Sequence, residues 1–408
     1  MKKKVKKIKN CLLCKSVNLK KVYSFGNFFV SNFVNKKNIK KGIKCPLSLL
    51  YCKKCTLIQL SHIAPQEIMY KRFYWYRSGV TQTMRNGLKN IYIESLKYVN
   101  LKKNDVVLDI GANDGTLLKF YKNKCITIGC EPANNLIKEL KKNCNFLIND
   151  FWNYENFKKV QTKQKLRKPK LITAIGMFYD LEEPNKFIGD ATKVLHDKGV
   201  FIAQLMCLKS MLKQNDLGNI CHEHLEFYSL KSLKYLFENN GLEIFKIEEN
   251  EINGGSFRIF CRKLNRGSIK FSEPNTLKSV MSFIKRVNEN KKITLNFINK
   301  QIKLRKKIFL YGASTKGNTV LQYYGLNNKK INFAAERSPE KLGKYTIGTG
   351  IPIISEMKAR SLKPDFFLVT PWSFIKEFVK REHKWLKEGG KFILPFPKFK
   401  IISDDKKK

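Results

Sequence analysis

Acidic residues are scarce in this chain: 33 Asp and Glu stand against 80 Lys and Arg, a formal net charge of +47 over 408 residues. Such an excess admits nucleic acid, anionic membrane surfaces and phosphorylated small molecules as partners. The lysines, however, are spread along the whole chain beside Asn and Ile, with no basic stripe and no arginine–aromatic alternation. A solvated surface is the first explanation, anionic ligands the second, and nucleic acid is not expected. Also missing is any apolar run approaching the ~18 residues a membrane helix needs, so no membrane association is expected. The basic start Met1 to Lys7 leads directly to Cys11 and Cys14, where an apolar export segment would have to stand. A cytoplasmic setting is the expectation, and there the 11 cysteines are metal ligands or reduced thiols, not disulfides. Histidine is rare too, with 5 in all. Core material is not lacking: 43% of residues are hydrophobic and 12% aromatic, enough for packed domains. The length exceeds what one core usually serves, so two or three domains are expected.

The pattern divides the chain into four stretches without internal repeats. Residues 1–70 are punctuated by cysteine and carry short apolar strands such as Leu57 to Leu60, a block too small to stand without a staple. Residues 71–265 alternate apolar runs with helical stretches, as in helices packed on a mainly parallel sheet. Strands are expected at Val106 to Asp109, Ile126 to Cys130, Leu171 to Ile175 and Val200 to Gln204, with helices at Leu117 to Tyr121, Asn134 to Lys142 and Pro184 to Leu195. Within the connector 266–307, the span 276–307 lacks Pro and Gly and places Val280, Phe283, Ile284, Val287 and Ile293 at helical spacing. Residues 308–408 restart the strand–turn–helix pattern at Ile308 to Gly312, a second, smaller α/β lobe.

Cys11-Leu12-Leu13-Cys14 and Cys52-Lys53-Lys54-Cys55 each present two thiolates from one tight turn. Two such turns make a tetrahedral four-sulfur zinc site, and with all four positions filled by sulfur the zinc is expected to be structural. Cys45 has no place in this scheme.

After the strand at Val106 comes Asp109-Ile110-Gly111-Ala112-Asn113-Asp114-Gly115, where glycines let the backbone turn and approach a ligand. A dinucleotide fold would want a glycine triplet and a phosphate at the helix N-terminus, but Asp109, Asn113 and Asp114 crowd this turn with carboxylate and amide groups. A cationic sulfonium carrying an amino-acid group suits it better. The next strand ends Glu131-Pro132, a carboxylate placed for a ribose diol. Asp150-Phe151 follows, suited to an adenine edge and face.

His222-Glu223-His224 gathers two histidines around a carboxylate. In an extended segment His222 and His224 share one face, with Glu223 opposite. A metal reading lacks a third ligand; acid–base machinery suits better, because imidazole titrates near neutrality and a carboxylate can fix its tautomer. Tyr74 and Tyr76 lie in an aromatic stretch, Phe73 to Gly79, that could close as a lid and donate to a substrate oxygen. Asn253-Gly254-Gly255-Ser256-Phe257-Arg258 offers a hydroxyl and a guanidinium for an anionic substrate. Gly312-Ala313-Ser314-Thr315-Lys316-Gly317-Asn318 opens a helix with Lys316 and exposed amides that could take a phosphate.

The order of these features resembles the three-domain S-adenosylmethionine-dependent sugar C-methyltransferases, over essentially the whole chain. The carrying stretches are the two CxxC pairs, Tyr74 to Ser78, Gly111 to Leu118, His222 to Leu230, Asn253 to Arg258 and Tyr311 to Thr319. The resemblance implies a zinc-binding domain, a class I methyltransferase Rossmann-like sheet and a Rossmann-like substrate lobe, with S-adenosyl-L-methionine and structural zinc as cofactors. It implies a nucleotide-linked keto-deoxysugar as substrate, methylated at the carbon next to its ketone through an enolate. His224 beside Glu223 matches the family's catalytic pair and would be the base; Tyr76 matches a tyrosine near the reacting sugar. Cys221 stands where these enzymes often carry tyrosine, and Phe178 near a position where many carry histidine, which bears on the acceptor.

Three competitors remain: methylation at a sugar oxygen or nitrogen, a zinc-ribbon nucleic-acid methyltransferase, and a non-enzymatic nucleotide-binding scaffold, against which intact Asp109, Glu131 and His224 argue. The second would need a base-flipping tetrapeptide such as NPPY or a catalytic cysteine loop, and the sequence has neither. Oligomeric state is not legible.

Overall fold

In the computed structural model, which describes residues 4–71, 73–273 and 276–404, the apolar run Val106–Ile110 is the first strand of a 7-stranded sheet. Ile126–Cys130 and Phe146–Ile148 step from it to one edge, while Leu171–Ile175 and Val200–Met206 step to the other. Ser256–Lys263 inserts antiparallel beside Val200–Met206, and Leu242–Asn250 closes that edge. Every position of Val106–Ile110 is buried, as parallel strands covered by helices on both faces require. The direction of winding reverses between Val106–Ile110 and Leu171–Ile175. Their carboxyl ends therefore splay apart over a crevice, the place where open α/β sheets take ligands.

The expected strands are present, and the expected helix at Pro184 runs Pro184–Val194. Leu117 to Tyr121 tightens to the single 3₁₀ turn Leu118–Phe120, and the stretch from Asn134 begins as a 3₁₀ turn before the helix Ile137–Asn143. The connector is one helix, Thr276–Lys303, whose buried stripe is Val280, Phe283, Ile284, Val287, Asn290, Thr294 and Ile298. Ile293 falls off that stripe and faces solvent. The last block is a 6-stranded sheet with Ile308–Tyr311 inside it, flanked by Ala334–Glu336 and Phe366–Val369, all parallel except the final strand Lys400–Ile402.

The N-terminal block folds around its cysteines. The four sulfurs lie within 4.8 Å of one another, with Cys11 Sγ 3.5 Å from Cys55 Sγ and Cys14 Sγ 3.4 Å from Cys52 Sγ. Zinc–sulfur bonds of about 2.3 Å at tetrahedral angles demand sulfurs separated by just under about 4 Å, so the set fits zinc. Both turns have the same build: Lys15 N–H donates to Cys11 O and Thr56 N–H to Cys52 O, each at 3.0 Å, with Lys15 and Thr56 at positive φ. Cys45 lies apart from the cluster, and burial pushes its thiol up to about 12.

Leu19–Phe29, Lys44–Cys52 and Ile58–Leu60 form an antiparallel sheet on these turns, and the fourth strand of that sheet is Glu226–Phe227, from the second block. Leu60 N–H also donates to Leu225 O at 2.9 Å. The zinc block is thus built into the segment that follows His224. Cys52→Ser should lower zinc below half an equivalent and the melting temperature by roughly 5 °C or more. Full zinc content and unchanged melting in that variant would rule out the four-sulfur site.

Candidate active site

All three blocks close on one cavity of about 590 Å³. Asn32 and Gln66 reach it from the zinc block, Asp109 and His224 from the sheet, Lys316 and Trp372 from the last lobe.

The cofactor side is built at the crevice of the 7-stranded sheet. Gly111 sits at φ +74°, and a Cβ there would come within 2.7 Å of Met177 Cγ; only glycine allows the turn to pass so close. Asp109 accepts a hydrogen bond from Thr173 Oγ1 at 2.6 Å, its register neighbour on the next strand. Burial pushes the Asp109 carboxyl up to about 7 against that hydrogen bond. Glu131 accepts the N–H groups of Asn113 and Ala133, both at 2.8 Å, and burial likewise raises it to about 7. Two buried carboxyls at one crevice, both raised by burial and both favoured in their ionised form by a positive neighbour, suit a cation. Pro132 and Phe151 line the same wall, while Asp150 lies outside it in an ion pair with Lys71 at 2.8 Å.

Asn113 and Asp114 have a second task. Asn113 Oδ1 accepts the Ser78 N–H at 2.9 Å and its amide donates to Tyr76 O at 3.2 Å; Asp114 accepts the Gly79 N–H at 2.7 Å. Asn135 grips both the N–H and the C=O of Tyr74. The aromatic stretch Phe73 to Gly79 is therefore strapped across the cofactor turn, with Tyr74 and Tyr76 on the cavity wall. Trp75 Nε1 donates to Asn32 of the zinc block at 2.9 Å, and Arg77 bridges Glu139 of the sheet domain and Glu340 of the last lobe. Gly115, at φ +76° against Asn143, shapes the turn from behind and lies outside the cavity wall.

The histidines part company. Residues 221–224 turn, with His224 N–H donating to Cys221 O at 3.2 Å, so the shared face expected of an extended segment does not form. His222 points to the zinc block: its Nε2 donates to Cys45 O at 2.8 Å, and burial lowers it to about 4. His224 faces the cavity. Its Nδ1 bonds Asn219 O at 2.7 Å, and since a carbonyl only accepts, Nδ1 carries the proton. Burial first, and Lys316 second, hold the ring well below the usual histidine range. A neutral imidazole with a lone pair on Nε2 follows. The tautomer is fixed by Asn219, not by Glu223. Glu223 and Asp180 also line the cavity, each with one buried oxygen that takes no hydrogen bond from the described residues, and burial raises both.

Of the groups expected to meet a substrate, Tyr74, Ser256 and Lys316 line the cavity. Arg258 does not: it lies within the sheet, bonded to Gln204 at 2.9 Å and Asn90 at 2.8 Å. Asn318 is buried behind the wall beside Thr349. Asn219, Asp180 and Asp216 carried no role in the sequence reading; Asn219 opens the histidine segment, and the acids lie in loops with no local pattern to mark them.

A sheet of this order, with two buried carboxyls in the crevice at its reversal point, is that of a class I S-adenosylmethionine-dependent methyltransferase. Three family descriptions match in series: a zinc binding domain over residues 11–70, a methyltransferase domain over 84–247 and a C-methyltransferase C-terminal domain over 251–397. The chain is 25% identical over 417 residues to the C-methyltransferase NovU of Streptomyces niveus, covering 98% of each. Among solved structures it is similar to the magnesium protoporphyrin IX methyltransferase ChlM of Synechocystis PCC 6803, at 10% identity over 44% of this chain and 79% of that one, TM-score 0.33. It is similar also to the N-methyltransferase NodS of Bradyrhizobium japonicum WM9, at 11% identity over 44% and 96%, TM-score 0.33. In the order of these three domains the chain is similar to C-methyltransferases: it is an S-adenosylmethionine-dependent methyltransferase with a zinc-binding domain whose four cysteines fit a structural zinc.

Asp109 and Glu131 generate a pH prediction. Their raised carboxyls ionise as pH passes 7, and a bound cation favours the ionised form. If one acid ionises fully in the complex, affinity for S-adenosylmethionine should rise about tenfold between pH 6 and pH 8. Calorimetric titration across that range checks it; a flat profile would show that neither acid faces the cofactor's charge.

Proposed function

We propose that the enzyme methylates carbon next to the ketone of a nucleotide-linked keto-deoxysugar. The observation that carries this reading is His224: a buried neutral imidazole with its proton on the Asn219 side and Nε2 free toward the cavity. Methylation at oxygen or nitrogen can start from an existing lone pair, whereas carbon next to a ketone must first lose a proton to a placed base.

In the proposed sequence, Nε2 of His224 takes the proton and the C–H electron pair becomes the enolate double bond. The enolate carbon then forms a bond to the sulfonium methyl as the carbon–sulfur bond breaks, leaving neutral S-adenosylhomocysteine. Asp109, Gly111, Glu131, Pro132 and Phe151 would hold the cofactor, with Asn113 and Asp114 acting through the strap. Tyr76 and Tyr74 offer hydroxyls to the sugar oxygens. Glu223, its carboxyl raised by burial, stands beside the base on the cavity wall. A polyhydroxylated ligand also supplies partners for the bare oxygens of Asp180 and Glu223, each worth about 1–3 kcal/mol when left unpaired in a closed site. A cytoplasmic setting, which keeps the zinc thiols reduced, accords with this reading; among the described residues no helix is long and apolar enough to cross a membrane.

Incubation in D₂O with a panel of nucleoside diphosphate-linked keto-deoxyhexoses, without S-adenosylmethionine, tests it. Wild type should exchange deuterium into the carbon next to the ketone. His224→Ala should lose exchange and methyl transfer by about 10²-fold or more while binding S-adenosylmethionine normally. Methyl transfer with no prior exchange would instead place the methyl on oxygen or nitrogen.

A further inference from the structure

Asn219 ties its own loop together and joins it to the C-terminal lobe through its carbonyl and both ends of its side-chain amide. Its backbone carbonyl accepts from His224 Nδ1 at 2.7 Å. Its side-chain Oδ1 accepts from Lys316 Nζ at 2.8 Å, and its Nδ2 donates to Asp216 Oδ2 at 3.0 Å. Lys316 stands on the first turn of the helix Thr315–Tyr324, in the C-terminal lobe, so this one bond crosses from that lobe to the loop that carries the histidine. Asn219 is 3% exposed, and all four residues line the cavity.

Resting on the carbon-methylation reading, we propose that Asn219 is a positioning residue that sets the Lys316 ammonium beside His224, so that the C-terminal lobe supplies the cation facing the enolate oxygen. The amide is oriented by Asp216: one Nδ2–H donates to that carboxylate, which turns Oδ1, the only acceptor on the side chain, toward the Lys316 ammonium. A fixed cation beside the reacting ketone lowers the cost of charge appearing on oxygen and needs no rearrangement at the moment of proton transfer. The same cation opposes protonation of His224, keeping Nε2 available. The electrostatics agree: after burial, Lys316 is the next influence on both His224 and Asp216. Asp180, Glu223 and Asp216 are the acids that feel Lys316, and the Tyr179 ring packs edge-on against the imidazole with centroids 4.4 Å apart.

The test uses the full zinc-loaded chain and three variants, Lys316→Met, Lys316→Arg and Asn219→Ala. Imidazole NMR follows the His224 titration without any substrate. Lys316→Met should raise its midpoint by about one pH unit or more, Asn219→Ala should raise it in part by freeing the ammonium, and Lys316→Arg should restore it. On the keto-sugar panel, Lys316→Met should slow deuterium exchange about 10²-fold with S-adenosylmethionine affinity unchanged. A midpoint shared by wild type and Lys316→Met overturns the proposal, as does full exchange in the folded variant. Absence of exchange in wild type on every panel member is a different result: it removes the carbon-methylation reading and with it the enolate role, while the midpoints still decide whether Lys316 faces the base.

Discussion

The pairing of Glu226–Phe227 with Ile58–Gln59 is the contact on which the rest of the active site depends. Two residues of strand are too short to hold themselves. They persist because the zinc block offers a finished edge, and that block in turn has too little core to fold without its four thiolates. The constraint passes from metal to turn, from turn to sheet, and from sheet to the loop that presents His224. A domain built around its metal turns thereby fixes where the proposed base can stand. The His222 bond to Cys45 O repeats the tie from the opposite side of the turn, which gives that histidine a structural task beside a chemical neighbour.

The strap over the cofactor turn follows the same economy of parts. Asn113 and Asp114 are the residues that argue from sequence against a pyrophosphate, and in the fold they spend their side chains on the backbone of Ser78 and Gly79. The same polarity that disfavours phosphate thus holds down the segment that roofs the site. Arg77 extends this roof to both flanking acids, Glu139 and Glu340, one in each α/β unit. Cofactor wall, roof and C-terminal lobe are linked through a single guanidinium, whose planar fork can meet two carboxylates at once.

Much of the fold was legible because it rests on local patterns. The parallel strands announce themselves as short apolar runs, the CxxC turns by spacing alone, and the glycine turn by a backbone demand that side chains cannot meet. Of the candidate site, the sequence singled out Asp109, Glu131 and His224, each by its own local setting, and all three reach the cavity wall. What escaped depends on which way a side chain turns. Arg258 looks like an anion ligand beside two glycines, yet strand pairing buries it opposite Gln204. The extended reading of His222 to His224 failed because a turn at Cys221 sends neighbouring rings to opposite sides. Asn219 could not be found at all, since its importance lies in a backbone carbonyl and in a lysine 97 positions away.

That distance also bears on why the chain needs its third lobe. In the proposed reaction a substrate enclosed by one domain would have its base and its methyl donor, but beside His224 the sheet domain brings the acids Asp180, Glu223 and Asp216 to the cavity. Carboxyls there are raised by burial and help little with negative charge appearing on a ketone oxygen. Lys316 and Lys341, the latter bonded to Ala313 O at 2.8 Å, come to the cavity from the C-terminal lobe. The division is electrostatic as well as architectural: the sheet domain brings buried carboxyls to the cavity, and the C-terminal lobe brings Lys316 and the Glu336-paired Lys341. A chain with one such unit would have to put both signs on the same sheet edge, where each would weaken the other.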